Sequence, residues 1–383
     1  MDNFWFCAMN AWEKRKLGNF VDEFIEKTTV QNQYPMLTSS QKHGIVLQTD
    51  YFSNRQITTS QNVGYFVLPR NYFTYRSRSD NGIFRFNRNE VVDKGIISYF
   101  YPVFQIKGGN GDFFLELLNY SIKKQVDLES VGTGQRVLSF KKFKNISAKV
   151  PEITEQEMIG HLFKKVRILI AATQQKIDNL EQVKKALLQY LFDQSLRFSG
   201  YSIPWEKHKL DDVLSERKTR SSDLPLLSVT INNGVIKADE NGRKDNSSSD
   251  LSNYKVVRVG DIPYNSMRMW QGASGYSYFE GIVSPAYTVL VPKNQNDGLF
   301  WSFCLKRGDM LSLFTRFSQG LTSDTWNLKY PQLSAIQVKA PQKPEQVQIS
   351  NLLRNADHLI TATQSKLFGY QQLKKSLLQR LFV

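Results

Sequence analysis

Apolar residues fall at alternating steps of four and three along two separate stretches of this chain. In the first, Ile159, Phe163, Val166, Ile170, Thr173, Ile177, Leu180, Lys184, Leu187 and Leu191 share one register. In the second, Ile349, Leu353, Ala356, Ile360, Thr363, Leu367, Tyr370, Lys374, Leu377 and Leu381 share the same one. A period of about 3.5 residues held this long predicts coiled-coil helices. Thr and Lys interrupt the seam at matching places, unless Val183 and Leu373 take over from Lys184 and Lys374; polar seam residues fix register at a cost in stability. Pro151 and Pro341 mark the starts, where a helix tolerates proline.

The two stretches are copies. Residues 151–192 and 341–382 align without a gap, and nearly half the positions are identical, including Gln174/Gln364, Lys176/Lys366 and Lys185/Lys375 away from the seam. One amphipathic helix cannot bury its stripe alone, so the copies are expected to pack on each other. Each is preceded by a body with a similar opening, Trp12-Glu13-Lys14 in the first and Trp205-Glu206-Lys207 in the second. The organisation expected is a tail (1–11), a first body (12–150), a first coil helix (151–197), a linker (198–204), a second body (205–340) and a second coil helix (341–383).

Within the bodies the pattern changes to short apolar runs between turn signals, which predicts strands. Gly64–Leu68 and Ile96–Phe104 are such runs in the first body, with a helix expected around Phe113–Ile122; Leu226–Thr230, Val256–Val259 and Tyr287–Val291 are their counterparts in the second. The polar run from Ala238 to Ser252 reads as a mobile loop. Shared landmarks connect the bodies: Lys94-Gly95-Ile96-Ile97-Ser98 with Glu280-Gly281-Ile282-Val283-Ser284, and Tyr75-Arg76-Ser77-Arg78 with Tyr264-Asn265-Ser266-Met267-Arg268. Between landmarks the bodies differ strongly. The fold class expected is therefore α+β: two similar mixed bodies separated by two long antiparallel coiled-coil helices, with internal pseudo-twofold symmetry.

Charge narrows the function. With 50 Lys and Arg against 35 Asp and Glu, the net charge of +15 fits a polyanionic partner. Cys7 and Cys304 are too few and too far apart for a disulfide framework, and no stretch approaches the roughly 18 apolar residues of a membrane span, so a cytoplasmic location without membrane contact is expected. No Gly-x-x-x-x-Gly-Lys-Ser/Thr phosphate loop occurs, and no Asn-Pro-Pro-aromatic run or glycine-rich loop suited to S-adenosylmethionine. His43, His161, His208 and His358 are scattered and form no metal constellation with two lone cysteines.

The body–coil–body–coil order, the run from Tyr264-Asn265-Ser266-Met267-Arg268-Met269-Trp270 to Gly281-Ile282-Val283-Ser284-Pro285-Ala286-Tyr287, and Glu155-Gln156 and Glu345-Gln346 just after the coil prolines together resemble the specificity subunit of a type I restriction–modification system. The resemblance implies that each body is a target recognition domain reading one half of a split, asymmetric duplex DNA target. It implies a non-catalytic chain that binds two modification (methyltransferase) subunits and is later joined by restriction (motor-nuclease) subunits. This chain would bind no cofactor itself, its partners using S-adenosylmethionine, ATP and Mg. The same scaffold used alone, as a DNA-binding or regulatory protein without nuclease partners, is the alternative.

Candidate DNA contacts are cations and amides interleaved with aromatics: Arg70, Asn71, Tyr72, Tyr75, Arg76 and Arg78 in the first body, and Tyr264, Asn265, Ser266, Arg268, Trp270 and Gln271 in the second. Gly132-Thr133-Gly134-Gln135-Arg136 and Gly320-Leu321-Thr322-Ser323 precede the coils at matching places, as phosphate-binding turns or simple turns. A helix of about 40 residues is roughly 60 Å long, so the coil is expected to act as a ruler between half-sites. Lengthening both coils by one heptad should change the spacer tolerated between half-sites, read by mapping methylated sites; an unchanged spacer would remove the coil from that role.

Overall fold

A computed structural model describes residues 11–52, 61–241 and 250–382 of the chain. The expected tail, with Cys7, lies almost wholly outside the described residues, as does 242–249 of the expected mobile loop. The chain divides into two units: the described residues through Lys176 with those from Gln364 onward, and Ile177–Thr363. Each unit contains one body, the first half of one coil helix and the second half of the other.

In the first unit the central sheet is antiparallel, with Val21–Glu23, Val103–Ile106, Phe73–Tyr75 and Phe86–Arg88 in that order. Its core is aromatic, with Phe73, Tyr75, Phe86, Phe104 and Phe143 all fully buried. The run Ile96–Phe104, expected as one strand, is two, Lys94–Ile97 and Val103–Ile106. A turn breaks it, closed by the Tyr101 N–H donating to the Ser98 carbonyl, and Pro102 follows with no N–H to offer a ladder. The body helix Gly111–Tyr120 starts on Asn110, whose side chain accepts from the N–H groups of Asp112 and Phe113.

The second unit repeats this plan with Leu214–Glu216, Tyr287–Pro292 and Ile262–Asn265 as its central sheet. Its body helix Gly298–Leu305 starts on Asp297. The shared landmark glycines are explained by close approach. A Cβ on Gly95 would lie 2.2 Å from Leu37, and one on Gly281 would lie 2.5 Å from the Pro225 carbonyl and 2.6 Å from Leu227.

The coil helices are Ile153–Phe192 and Lys343–Leu381. Seam residues Ile159, Phe163, Val166 and Ile177 are buried in the first, and Ile349, Leu353, Ile360 and Thr363 in the second. Within the first unit Phe163 meets Phe382, and within the second Leu191 and Phe192 share a core with Ile349 and Leu353, so the helices run antiparallel. Lys184 and Lys374, not their neighbours, hold the seam: Val183 and Leu373 are exposed. Each lysine is neutralised, Lys184 by Asp357 and Lys374 by Glu116 at 3.0 Å.

Glutamine joins each coil to its body. The Gln156 amide oxygen accepts the Asn110 N–H at 3.0 Å while its amide donates to the Pro151 carbonyl at 2.9 Å. Gln346 does the same to Asp297 and Pro341, at 2.9 and 2.8 Å. The far ends of the helices are held by aromatic rings. Phe382 stacks on Phe113 (5.5 Å, 25°) with Trp12 edge-on at 5.6 Å, and Phe192 stacks on Phe300 (5.2 Å, 24°) with Trp205 edge-on at 5.9 Å. Such pairs add to the stabilisation from burial alone. Phe382→Ala should cost the first unit about 3 kcal/mol. Hydrogen exchange should then show faster amides in Gly111–Tyr120, with Gly298–Leu305 unaffected.

Candidate nucleic-acid interface

The two bodies share one internal frame. The Tyr75 hydroxyl donates to the Leu138 carbonyl at 3.1 Å, and the Tyr264 hydroxyl to the Leu328 carbonyl at 3.0 Å. One step further, the Leu138 N–H donates to the Ser77 carbonyl at 2.9 Å and the Leu328 N–H to the Ser266 carbonyl at 2.8 Å. Burial pushes both tyrosine hydroxyls well above their ordinary value, reinforced by Glu23 near Tyr75 and by Glu216 and Tyr330 near Tyr264. These rings were expected at the interface; both are fully buried and serve as core. Ser266 is buried too, its hydroxyl paired with that of Thr288 at 3.0 Å. Frame residues give the motif its regularity and leave nothing for a ligand.

Residues just beyond the frame are exposed. In the first body Arg76 and Arg78 line an open cleft of about 460 Å³ with Lys42 and Arg85. Gln41 and Lys42 form the tip of the hairpin Leu37–Ser40/Gly44–Leu47, which Gly44 turns at φ 71°. The Gln41 amide donates to the Ile83 carbonyl at 3.1 Å, tying the tip to the opposite wall. Tyr51 and Tyr101 add aromatic faces to the lining, and the Arg78 guanidinium lies 4.8 Å over the Phe100 ring. Asp80 is the one acid in the lining; hydrogen bonding from Gln135 and the charge of Arg76 hold its carboxyl below the usual range. Cations beside flat aromatic faces suit phosphate oxygens and base edges.

Arg70, Asn71 and Tyr72 lie outside that lining. Arg70 is committed to Asp93 at 2.8 Å and to the Glu90 carbonyl at 2.9 Å. Asn71 occupies a left-handed turn at φ 67°, and Tyr72 packs edge-on to Phe24. They build a corner. Gln41, Lys42, Tyr51, Arg85 and Tyr101 escaped sequence reasoning, although the Gly44 turn between two apolar runs was the signal for the hairpin.

In the second body the counterpart segment is a turn. Asn265 spends its side-chain oxygen on the Met267 N–H at 3.0 Å, and Gly272 closes the turn at φ 84°. Arg268 is exposed and Gln271 half-buried. The Trp270 indole N–H donates to the Met267 carbonyl at 3.2 Å, and its ring meets Trp326 edge-on at 5.1 Å.

The chain thus presents one duplicated frame beneath two unlike polar and aromatic surfaces. Residues 9–182 match the family described as the type I restriction modification DNA specificity domain. The fold agrees: a type I restriction–modification S subunit from M. genitalium superposes with TM-score 0.63 at 13% identity, over 98% of this chain and 97% of that chain. An HsdS subunit from Thermoanaerobacter tengcongensis gives TM-score 0.42 at 14% identity, over 97% of this chain and 96% of that chain. The family match thus covers the first body and most of the first coil helix, and the fold of the whole chain is that of the M. genitalium S subunit. No helix among the described residues is long and apolar enough to cross a membrane.

The cleft and the frame are separable by experiment. Replacing Arg76 and Arg78 by Ala should reduce the slope of log affinity against log salt by about 2, roughly one for each cation withdrawn from a phosphate. Tyr75→Phe should leave DNA affinity unchanged while costing about 1 kcal/mol of stability. Titrations of labelled duplex at several salt concentrations, beside a melt, read both.

Proposed function

We propose that each body reads one half of a split, asymmetric duplex sequence, so that 12–150 and 205–340 act as two target recognition domains. The observation that carries this is the identical pair of frame hydrogen bonds in each body beneath different surfaces. A common frame presents DNA to both bodies in one way, as in symmetric half-site readers. The unlike surfaces then make the two half-sites differ. The cationic cleft of the first body supplies phosphate and base-edge contacts through Lys42, Arg76, Arg78 and Arg85, and Arg268, Trp270, Gln271 and Asn265 face the second half-site.

In this reading the chain is non-catalytic. It recruits two modification subunits along its coil helices and restriction subunits after them, in the cytoplasm. S-adenosylmethionine, ATP and Mg belong to those partners. Co-expression with the neighbouring methyltransferase, followed by mapping of adenine methylation at single-base resolution, tests the reading. A split motif with a fixed unread spacer is the expected result. A stable complex that adds no methylation would overturn it.

A further inference from the structure

The segments joining body to coil form one device in both units. In the first, Val131 and Val137 exchange backbone hydrogen bonds (3.0 and 2.8 Å); in the second, Gln319 and Asn327 do so at the same lengths. A left-handed glycine follows in each, Gly132 at φ 112° and Gly320 at φ 139°. Neither tolerates a side chain, since a Cβ would lie 2.2 Å from the Gln135 carbonyl oxygen or 2.6 Å from that of Thr325. Both loops are therefore stiff, and by the shared frame they occupy corresponding places.

Their tips are unlike. In the first unit Gln135 reaches back to Asp80 in the cleft wall at 2.6 Å, which puts that loop on the DNA-reading side of its body. In the second unit the tip is Leu321, fully exposed. The Thr325 N–H and hydroxyl both donate to the Thr322 carbonyl, at 2.9 and 3.0 Å, and brace the tip. Trp326 anchors the loop edge-on against Trp270, beside exposed Arg268. The one charge between Gln319 and Trp326 is Asp324, so the loop adds no attraction for phosphate. What it offers DNA is an apolar contact from a pre-formed position.

We propose that Leu321 is a specificity-determining residue of the second body, packing its side chain on a thymine methyl group in the major groove. This is the one base-edge feature there that an aliphatic side chain recognises. The inference rests on the two-half-site reading above. It is tested on the chain assembled with its methyltransferase subunits, by selecting from random duplex pools made with either thymidine or deoxyuridine. The intact complex should enrich a split motif with a thymine in the second half, and enrichment at that position should fall roughly tenfold in the deoxyuridine pool. Leu321→Asn should show the same loss with thymidine, no further loss with deoxyuridine, and an intact first half. A variant that selects the unaltered motif would overturn the assignment, as would a loss insensitive to deoxyuridine. If the intact complex enriches no motif, the two-half-site reading falls and takes this inference with it.

Discussion

A long amphipathic helix with its apolar residues on one stripe has no core of its own, and everything else in this chain follows from how two such stripes are covered. Neither helix is long enough in apolar surface to close on its partner alone. Thr173, Lys184 and their copies interrupt the seam, so packing has to be completed by the bodies. That completion is concentrated at the ends: Gln156 and Gln346 at the starts, and Phe192 and Phe382 against the aromatic faces of the body helices. A body held by the start of one coil helix and the finish of the other is oriented as well as attached.

The lysines within the seam show how a duplicated part becomes specific to its place. Lys374 meets Glu116 on the body helix, which also receives Arg167 at 2.9 Å. At the matching position of the second body stands Phe303, with Lys184 5.6 Å over its ring, and the counter-charge comes from Asp357 on the coil, where the first copy has Arg167. The acid has moved from body to coil while the lysine stayed. Body and adjoining coil half are thus matched as a pair in each unit. Burial alone would raise the carboxyl of Asp112, but Arg88 and Arg167 more than offset it and hold it low.

Much of this was legible in the sequence because it is periodic or repeated. The 3.5-residue register places Ile159, Phe163, Leu353 and Ile360 inward, and the copied Glu-Gln pairs mark the clamp, although their hydrogen bonds come from the fold. The candidate DNA contacts were harder, for a physical reason. Tyr75 and Tyr264 stand out in the sequence because a frame requires them, and what a frame requires is buried. Lys42 and Arg85 stand out nowhere, because a cleft lining is assembled from a hairpin tip and a distant strand with no spacing in common. Arg70 and Asn71 illustrate the converse: cation and amide side by side, consumed by a corner.

The crossed attachment of the coil ends has a bearing on how the chain is made. The second unit is one contiguous stretch, Ile177–Thr363, so its internal contacts can form once that stretch has left the ribosome. The first unit waits for Lys374 and Phe382, which lie beyond the whole second unit in sequence, to cover Glu116 and Phe113. Contacts that distant in sequence form late and leave apolar surface uncovered in the interval. The half that is translated first is therefore the half that finishes folding last.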